Sequence, residues 1–137
     1  MNSSKVMSPL QLLLTDERKI IHGPSCDVIN TALLALFSQR DSWATLSRGS
    51  HDFVTAQGSE QEGLSLEYEM GSLDMHYRVK GELLDLNRVL RVFLLYARQD
   101  ITWFEDFNWE VVSLKDIDHK RAPDHFVTKP KNLDSSI

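Results

Sequence analysis

The strongest constraint on the fold is a change in hydrophobic period along the middle of the chain. Between residues 43 and 79, apolar and polar side chains alternate, most clearly in the runs GLSLEYEM and DMHYRVK. Alternation with a period of two is typical of strands that bury one face and leave the other in water. Glycine-containing turn signals separate the runs. The segment is therefore predicted to be an antiparallel β-meander with one buried face and one wet face.

The predicted wet face of the last two strands carries five ionisable side chains, Glu67, Glu69, His76, Arg78 and Lys80, and the first four are the candidate site residues. A catalytic interpretation makes a glutamate the base, His76 a proton shuttle and Arg78 an anion-binding group. The alternative is a cross-strand charge ladder, in which each pair contributes roughly 0.2–1 kcal/mol. We favour the ladder, because the sequence shows no burial that would tune these groups for catalysis. A ladder can also be a recognition surface for a protein partner.

The segments around the meander complete the secondary structure. Gln11–Leu14 and Lys19–His22 are predicted to form a hairpin. A first amphipathic helix is predicted over residues 27–39 with Ser25 as its N-cap, and a second begins after Asp85. A short helical turn at residues 103–107 and a strand at 109–112 follow.

These elements predict an α+β fold, with an antiparallel sheet of about five to six strands and two main helices packed on one face. Residues 1–114 are assigned to a single domain. The apolar pattern fades beyond this point, so residues 115–137 are interpreted as a polar C-terminal tail. The residues expected in the core are Leu33, Leu36, Phe37, Leu66, Tyr68, Tyr77, Leu90, Phe93 and Trp109.

Composition narrows the classes of function. The 137 residues carry a net charge of −5, whereas a nucleic-acid-binding protein needs a basic face to neutralise phosphates. The one cysteine, Cys26, excludes an intrachain disulfide and points to a reducing compartment. The N-terminal residues lack the apolar core of a signal peptide or membrane span. We therefore expect a cytoplasmic protein that binds neither nucleic acid nor membrane.

Motifs for catalysis or cofactor binding are missing from the sequence. The five histidines lie far apart, and neither HExxH nor CxxC occurs. The nucleophile elbow GxSxG and the phosphate-binding glycine loops are missing as well. We expect no metal, no cofactor and no catalytic residue. A small hydrolase-like enzyme that uses Glu67, Glu69, His76 and Arg78 stays open as an alternative.

The aromatic and acidic stretch DITWFEDFNWEVV allows two interpretations. Its aromatic residues are more often core residues that seal a helix against a sheet. Alternatively, Trp103 is an exposed interface anchor with Asp100, Glu105 and Asp106 as its acidic rim. We expect Trp109, inside an apolar strand, to be the more buried of the two tryptophans.

The order of these elements resembles a known family of small bacterial proteins. The matching pattern is an LEY…G…HYR hairpin, a V…F..Y helix and a closing W…F.WE, within residues 12–112. The matching residues are Leu66, Glu67, Tyr68, Gly71, His76, Tyr77, Arg78, Val89, Phe93, Tyr96, Trp103, Phe107, Trp109 and Glu110. On this pattern the chain resembles the immunity proteins of polymorphic-toxin and contact-dependent inhibition systems.

The resemblance implies a binding protein without catalytic activity, which occludes a cognate toxin domain. The acidic balance of the chain suggests that this partner is basic. We predict that the partner contacts Glu67, Glu69, His76, Arg78, Asp100, Trp103, Glu105 and Asp106. A self-associating structural module, such as a homodimer formed through a sheet edge or the Trp103 region, is a further alternative.

Overall fold

A computed structural model describes residues 9–15 and 19–112. These residues form one antiparallel sheet and two α-helices. In chain order the elements are β1 (Gln11–Leu14), β2 (Lys19–His22), α1 (Cys26–Gln39), β3 (Ser42–Ser47), β4 (Asp52–Ser59), β5 (Gly63–Met70), β6 (His76–Val79), α2 (Leu86–Ala97) and β7 (Trp109–Val111). Short 3₁₀ turns lie at Leu73–Met75 and Thr102–Asp106. The tail predicted at residues 115–137 lies outside the described residues.

The predicted α+β class is confirmed, but the sheet is larger than expected. Within the described residues it has seven strands in the order β2-β1-β3-β4-β5-β6-β7. The additional size comes from the N-terminal hairpin, because β1 pairs with β3 and so joins the meander. Two short apolar runs around a polar turn identified the hairpin, but they carry no information on which strand it pairs with after α1.

Both helices begin at the predicted caps. The Ser25 hydroxyl accepts a hydrogen bond from the backbone N–H of Val28 at 3.1 Å, and the Asp85 carboxylate accepts one from Arg88 at 2.9 Å. Each bond satisfies one of the backbone donors that a helix N-terminus leaves without an intrahelical partner. Neither described helix has the length and apolar character that crossing a bilayer requires.

The core lies between the helices and one face of the sheet. Helix α1 packs on β3 and β4, helix α2 packs on β4 and β5, and the two helices contact each other. Of the predicted core residues, Leu33, Leu36, Phe37, Leu66, Tyr68, Leu90 and Phe93 are buried, and Tyr77 and Trp109 are partly buried against the core.

Helix α2 is held at its C-terminus by the turn between β3 and β4. The Arg48 guanidinium donates to the carbonyl oxygens of Tyr96 at 3.2 Å and Ala97 at 2.9 Å. It also lies 4.9 Å above the centre of the Tyr96 ring. The Tyr96 hydroxyl in turn donates to the Asp52 carboxylate at 2.6 Å. A cation thus satisfies the last carbonyls of the helix, where the helix dipole is negative.

Candidate functional site

The predicted ionisable cluster lies on the sheet face opposite the helices. In the β5–β6 register, Glu67 is paired with Arg78 and Glu69 with His76. Side chains alternate along a strand, so these residues point away from the face that carries Tyr68 and Tyr77. The prediction that the cluster shares one face is therefore confirmed.

The cluster forms a chain of hydrogen bonds that includes a second histidine. His76 Nδ1 lies 2.7 Å from one Glu69 oxygen, and His76 Nε2 lies 2.8 Å from a Glu67 oxygen. The other Glu69 oxygen lies 2.5 Å from His51 Nδ1. A neutral imidazole has a single N–H donor, so His76 donates to both carboxylates only when its ring is doubly protonated.

The expectation of a wet face is wrong for two members of the cluster. Glu69 is 3% exposed and His76 is 1% exposed. The His76 ring packs against the Phe53 ring in an edge-to-face arrangement, with the ring centres 5.9 Å apart. Burial of ionisable groups is tolerated when each is paired and hydrogen-bonded, which is the case here. Alternation alone shows which residues share a face and gives no information on what covers that face.

Two opposing effects act on the Glu69 carboxyl. Burial by itself raises the pKa of Glu69, because it disfavours the charged form. The hydrogen bonds from His76 and His51, together with the positive charge of these rings, outweigh burial and hold the pKa of Glu69 below its ordinary value. The network therefore keeps Glu69 ionised.

The saturation of the network limits its chemistry. Both ring nitrogens of His76 and both oxygens of Glu69 contact partners inside the cluster. The described residues include no group of three histidine, cysteine or acidic side chains that could hold a metal ion. His51 is half-exposed, and its Nδ1 binds Glu69, so its Nε2 faces away from the network. This arrangement favours a structural link between the β3–β4 turn, which carries His51, and strands β5 and β6.

Sequence reasoning did not include His51 in this cluster. It interpreted the residue only as part of a turn signal between two strands. The contact depends on the β4–β5 register, which places Phe53 opposite Glu69 and so brings the preceding residues near the carboxylate. No local pattern specifies that register.

Arg78 extends the polar face to the last strand. Its Nε donates to a Glu110 oxygen at 2.8 Å, and both side chains are partly exposed. Glu110 lies opposite Arg78 in the β6–β7 register. The outer part of this face is therefore a half-exposed ion pair, in contrast with the buried pairs of His76.

The second candidate region is the aromatic stretch before and within β7. The side chain of Trp103 is 1% exposed, so the favoured interpretation as a core residue is confirmed for Trp103 and the alternative of an exposed anchor is wrong. Its ring packs edge-on against Tyr68 at 5.3 Å and lies 5.9 Å from the Trp109 ring. The expected order of burial is also reversed, since Trp109 is only partly buried. The 3₁₀ turn directs Trp103 inward and leaves its neighbour Phe104 at the surface.

An exposed apolar surface replaces the predicted tryptophan anchor. We call it the β7 patch and define it as Ile101, Phe104, Trp109 and Val111. Phe104 is 38% exposed and stacks on the Trp109 ring at 5.4 Å. Val111 is 62% exposed and lies on the same strand face as Trp109. Ile101 is exposed and precedes Phe104 by three residues, which places the two on one side of a 3₁₀ turn.

The acidic residues that the sequence placed around an exposed Trp103 lie in the same segment as Phe104 of the β7 patch. Glu105 and Asp106 are exposed and directly follow Phe104. Asp106 lies 3.3 Å from the Arg91 side chain of α2. Asp100 accepts hydrogen bonds from the side chain and backbone of Thr102, which lower the pKa of Asp100. The border of the patch is therefore acidic at Glu105 and Asp100, whereas Arg91 offsets the charge of Asp106.

In comparisons with known proteins, no family model, curated protein or solved structure matches the chain. The resemblance to immunity proteins therefore stays a prediction.

Proposed function

We propose that this chain is a non-catalytic protein-binding domain of the immunity-protein class. In this proposal it acts in the cytoplasm, binds a basic toxin domain in a one-to-one complex and occludes the active site of that toxin. The observation that carries the proposal is the β7 patch with its acidic border.

The apolar part of the patch supports a protein partner. Neighbouring exposed apolar side chains are typical of interaction sites, whereas isolated ones occur on any surface. Phe104 and Trp109 are stacked on each other and anchored to the core through Tyr68. Rigid aromatic groups of this kind are enriched among the residues that dominate binding energy, because little side-chain entropy is lost on binding.

The charge of the chain supports a basic partner. Its net charge is −5, and Glu105 and Asp100 place carboxylates at the border of the patch. Complementary charges at the border of an interface accelerate association and fix orientation. A toxin that acts on nucleic acid or another anionic substrate would carry the matching positive charge.

A small hydrolase-like enzyme is the second candidate function. The observation that favours it is the contact of the half-exposed His51 with the buried carboxylate of Glu69. A carboxylate that orients a histidine is one part of a general-base arrangement. The substitution His51→Ala separates the two functions, since it should abolish a hydrolase and leave binding through the β7 patch unchanged.

The binding proposal is tested with the C-terminal domain of the protein encoded by the neighbouring gene. Titration calorimetry with this purified domain should give a one-to-one complex, and co-expression should protect cells from its toxicity. Phe104→Asp should weaken the complex by at least about tenfold, as expected for a central aromatic residue. Leu34→Asp is the matched control, because Leu34 is comparably exposed on α1, away from β7.

Two results would contradict the proposal. One is the lack of any complex with the wild-type chain, accompanied by a lack of protection in cells. The other is an equal loss of affinity in both aspartate variants, which would show that binding does not depend on the β7 patch.

A further inference from the structure

We infer that strand β7 is the docking edge for an extended segment of the partner, which pairs with it as an added strand. The inference rests on the proposed function and specifies how the partner binds. The occupant is a partner segment that alternates apolar and basic side chains.

The hydrogen-bond pattern of β7 leaves backbone groups available on its outer edge. Two backbone hydrogen bonds flank the β6–β7 pairing. The Lys80 N–H donates to the Asn108 carbonyl at one end, and the Val112 N–H donates to the His76 carbonyl at the other. In an antiparallel ladder, bonded and non-bonded residue pairs alternate. Trp109 and Val111 occupy the non-bonded positions between these pairs, so their N–H and C=O groups point away from β6.

The outer edge of β7 is not covered by another strand within the described residues. Strand β7 ends the sheet order there, with β6 as its neighbour. An unpaired row of backbone donors and acceptors is a template for a further strand. When a partner segment is added as a strand, backbone hydrogen bonds provide the affinity, and every second side chain of the segment provides the specificity.

The two faces of β7 define the chemistry of the added segment. On the helix side, Val111 is exposed beside the aromatic rings of the β7 patch, which favours an apolar side chain from the partner. On the opposite side, Glu110 is 38% exposed and pairs with Arg78 through one carboxylate oxygen at 2.8 Å, so a basic side chain from the partner would share this carboxylate with Arg78. Opposite charges and apolar pairs in adjacent strands each stabilise the pairing of the strands. An alternating apolar and basic strand meets both requirements.

The other edge of the sheet provides an internal comparison. The Gly23 N–H donates to the Leu10 carbonyl, which makes Gly23 and Leu10 a bonded pair. Because bonded and non-bonded pairs alternate, Ile20 and His22 are at non-bonded positions, and their backbone groups point away from β1. Ile20 is exposed, but the strand begins with Lys19, and a lysine on an edge strand disfavours pairing. The β2 edge therefore serves as a control edge with the same backbone geometry.

Hydrogen exchange measured by NMR tests the inference on the full chain with the same toxin domain. Strand addition should slow exchange of the Trp109 and Val111 amides in the complex by about tenfold or more, because their N–H groups become hydrogen-bonded. Docking of side chains alone should leave these amides exchanging as in the free chain. The Ile20 and His22 amides should be unchanged in both cases.

A pair of proline variants provides the second measurement. Val111→Pro removes an outward donor that β6 does not use, and Ile20→Pro makes the same change on the control edge. Val111→Pro should weaken binding by about tenfold or more, and Ile20→Pro by about twofold or less. Circular dichroism and urea unfolding establish that each variant is folded, and the exchange measurement needs no variant.

The possible outcomes separate the two proposals. If the wild-type chain does not bind the toxin domain, the proposed function fails. If it binds without protection of Trp109 and Val111, or if Val111→Pro binds as tightly as wild type, the proposed function stands and strand addition is refuted. Strand addition to the partner is also refuted if light scattering shows a dimer of this chain that Val111→Pro dissociates.

Discussion

The buried contacts of Glu69 make the substitution Glu69→Gln a decisive perturbation. The carboxylate accepts from His76 at 2.7 Å and from His51 at 2.5 Å, and its side chain is almost fully buried. Glutamine keeps the shape of the side chain but has one carbonyl oxygen and one NH₂ group. The NH₂ group cannot accept from a histidine N–H, so one of the two rings must change tautomer or lose its hydrogen bond, and neither contact involves a carboxylate any longer.

The expected loss of stability follows from these contacts. A hydrogen bond to a charged group contributes about 1.5–3 kcal/mol, and a buried donor without a partner adds a further cost. His51 can turn towards water because it is half-exposed, whereas His76 cannot. We therefore expect Glu69→Gln to lower the free energy of unfolding by about 2–3 kcal/mol at pH 7. An exposed charge ladder would lose less than about 1 kcal/mol.

The pH dependence of this difference has a defined sign. The pKa of Glu69 is lowered in the folded protein from its ordinary value of 4.5. A lowered pKa means that the stabilisation is fully present above the unfolded value and is lost as the pH falls through the folded value. The gap in unfolding free energy between wild type and Glu69→Gln should therefore be largest near neutral pH and shrink below pH 4.5.

Urea unfolding at several pH values measures this gap. For an m-value of about 2 kcal/mol per M, a loss of 3 kcal/mol moves the midpoint by about 1.5 M. Glu110→Gln is the matched control, since it makes the same chemical change in the half-exposed pair with Arg78 and should cost no more than about 1 kcal/mol. Equal losses in both variants, or a gap that does not shrink in acid, would refute the reasoning.

Two further predictions concern the scaffold. Arg48→Ala removes the two hydrogen bonds to the end of α2 and the contact with the Tyr96 ring. Urea unfolding should therefore show a free energy of unfolding that is lower by about 2 kcal/mol. An unfolding midpoint equal to that of the wild type would contradict this role of Arg48. Gly58→Ala would place a methyl group against the Gly63 carbonyl oxygen, whereas Gly71→Ala enters open space, and both positions have positive φ. We expect Gly71→Ala to cost about 1 kcal/mol from its backbone conformation alone and Gly58→Ala clearly more, by thermal unfolding; equal losses would show that the carbonyl contact is unimportant.

Local signals account for the elements that the sequence predicted well. Ser25 and Asp85 cap their helices as expected, because capping depends on hydrogen bonds within a few residues. The hairpin at Gln11–Leu14 and Lys19–His22 has its predicted bounds, since two apolar runs around a polar turn are also a local signal. The strand predicted over DMHYRVK begins later than expected, at His76, because a 3₁₀ turn precedes it.

The candidate regions were predicted less completely, for reasons that lie in long-range packing. The sequence placed Glu67, Glu69, His76 and Arg78 on one face but treated that face as solvated. For the aromatic and acidic segment it favoured core residues and kept an exposed Trp103 as the alternative, whereas Phe104 is the exposed aromatic residue. The orientation of a 3₁₀ turn against the sheet decided that Trp103 lies inside and Phe104 at the surface.

By itself, the sequence determined the fold class, the caps and the faces of the strands, because periodicity and capping are properties of neighbouring residues. The tertiary structure decided that β1 joins β3, that His51 reaches Glu69, and that Trp109 and Val111 present free backbone groups at the edge of the described sheet. Each of these depends on strand register and on contacts between residues far apart in the chain. Their energies arise only when distant segments pack together, so no local pattern encodes them.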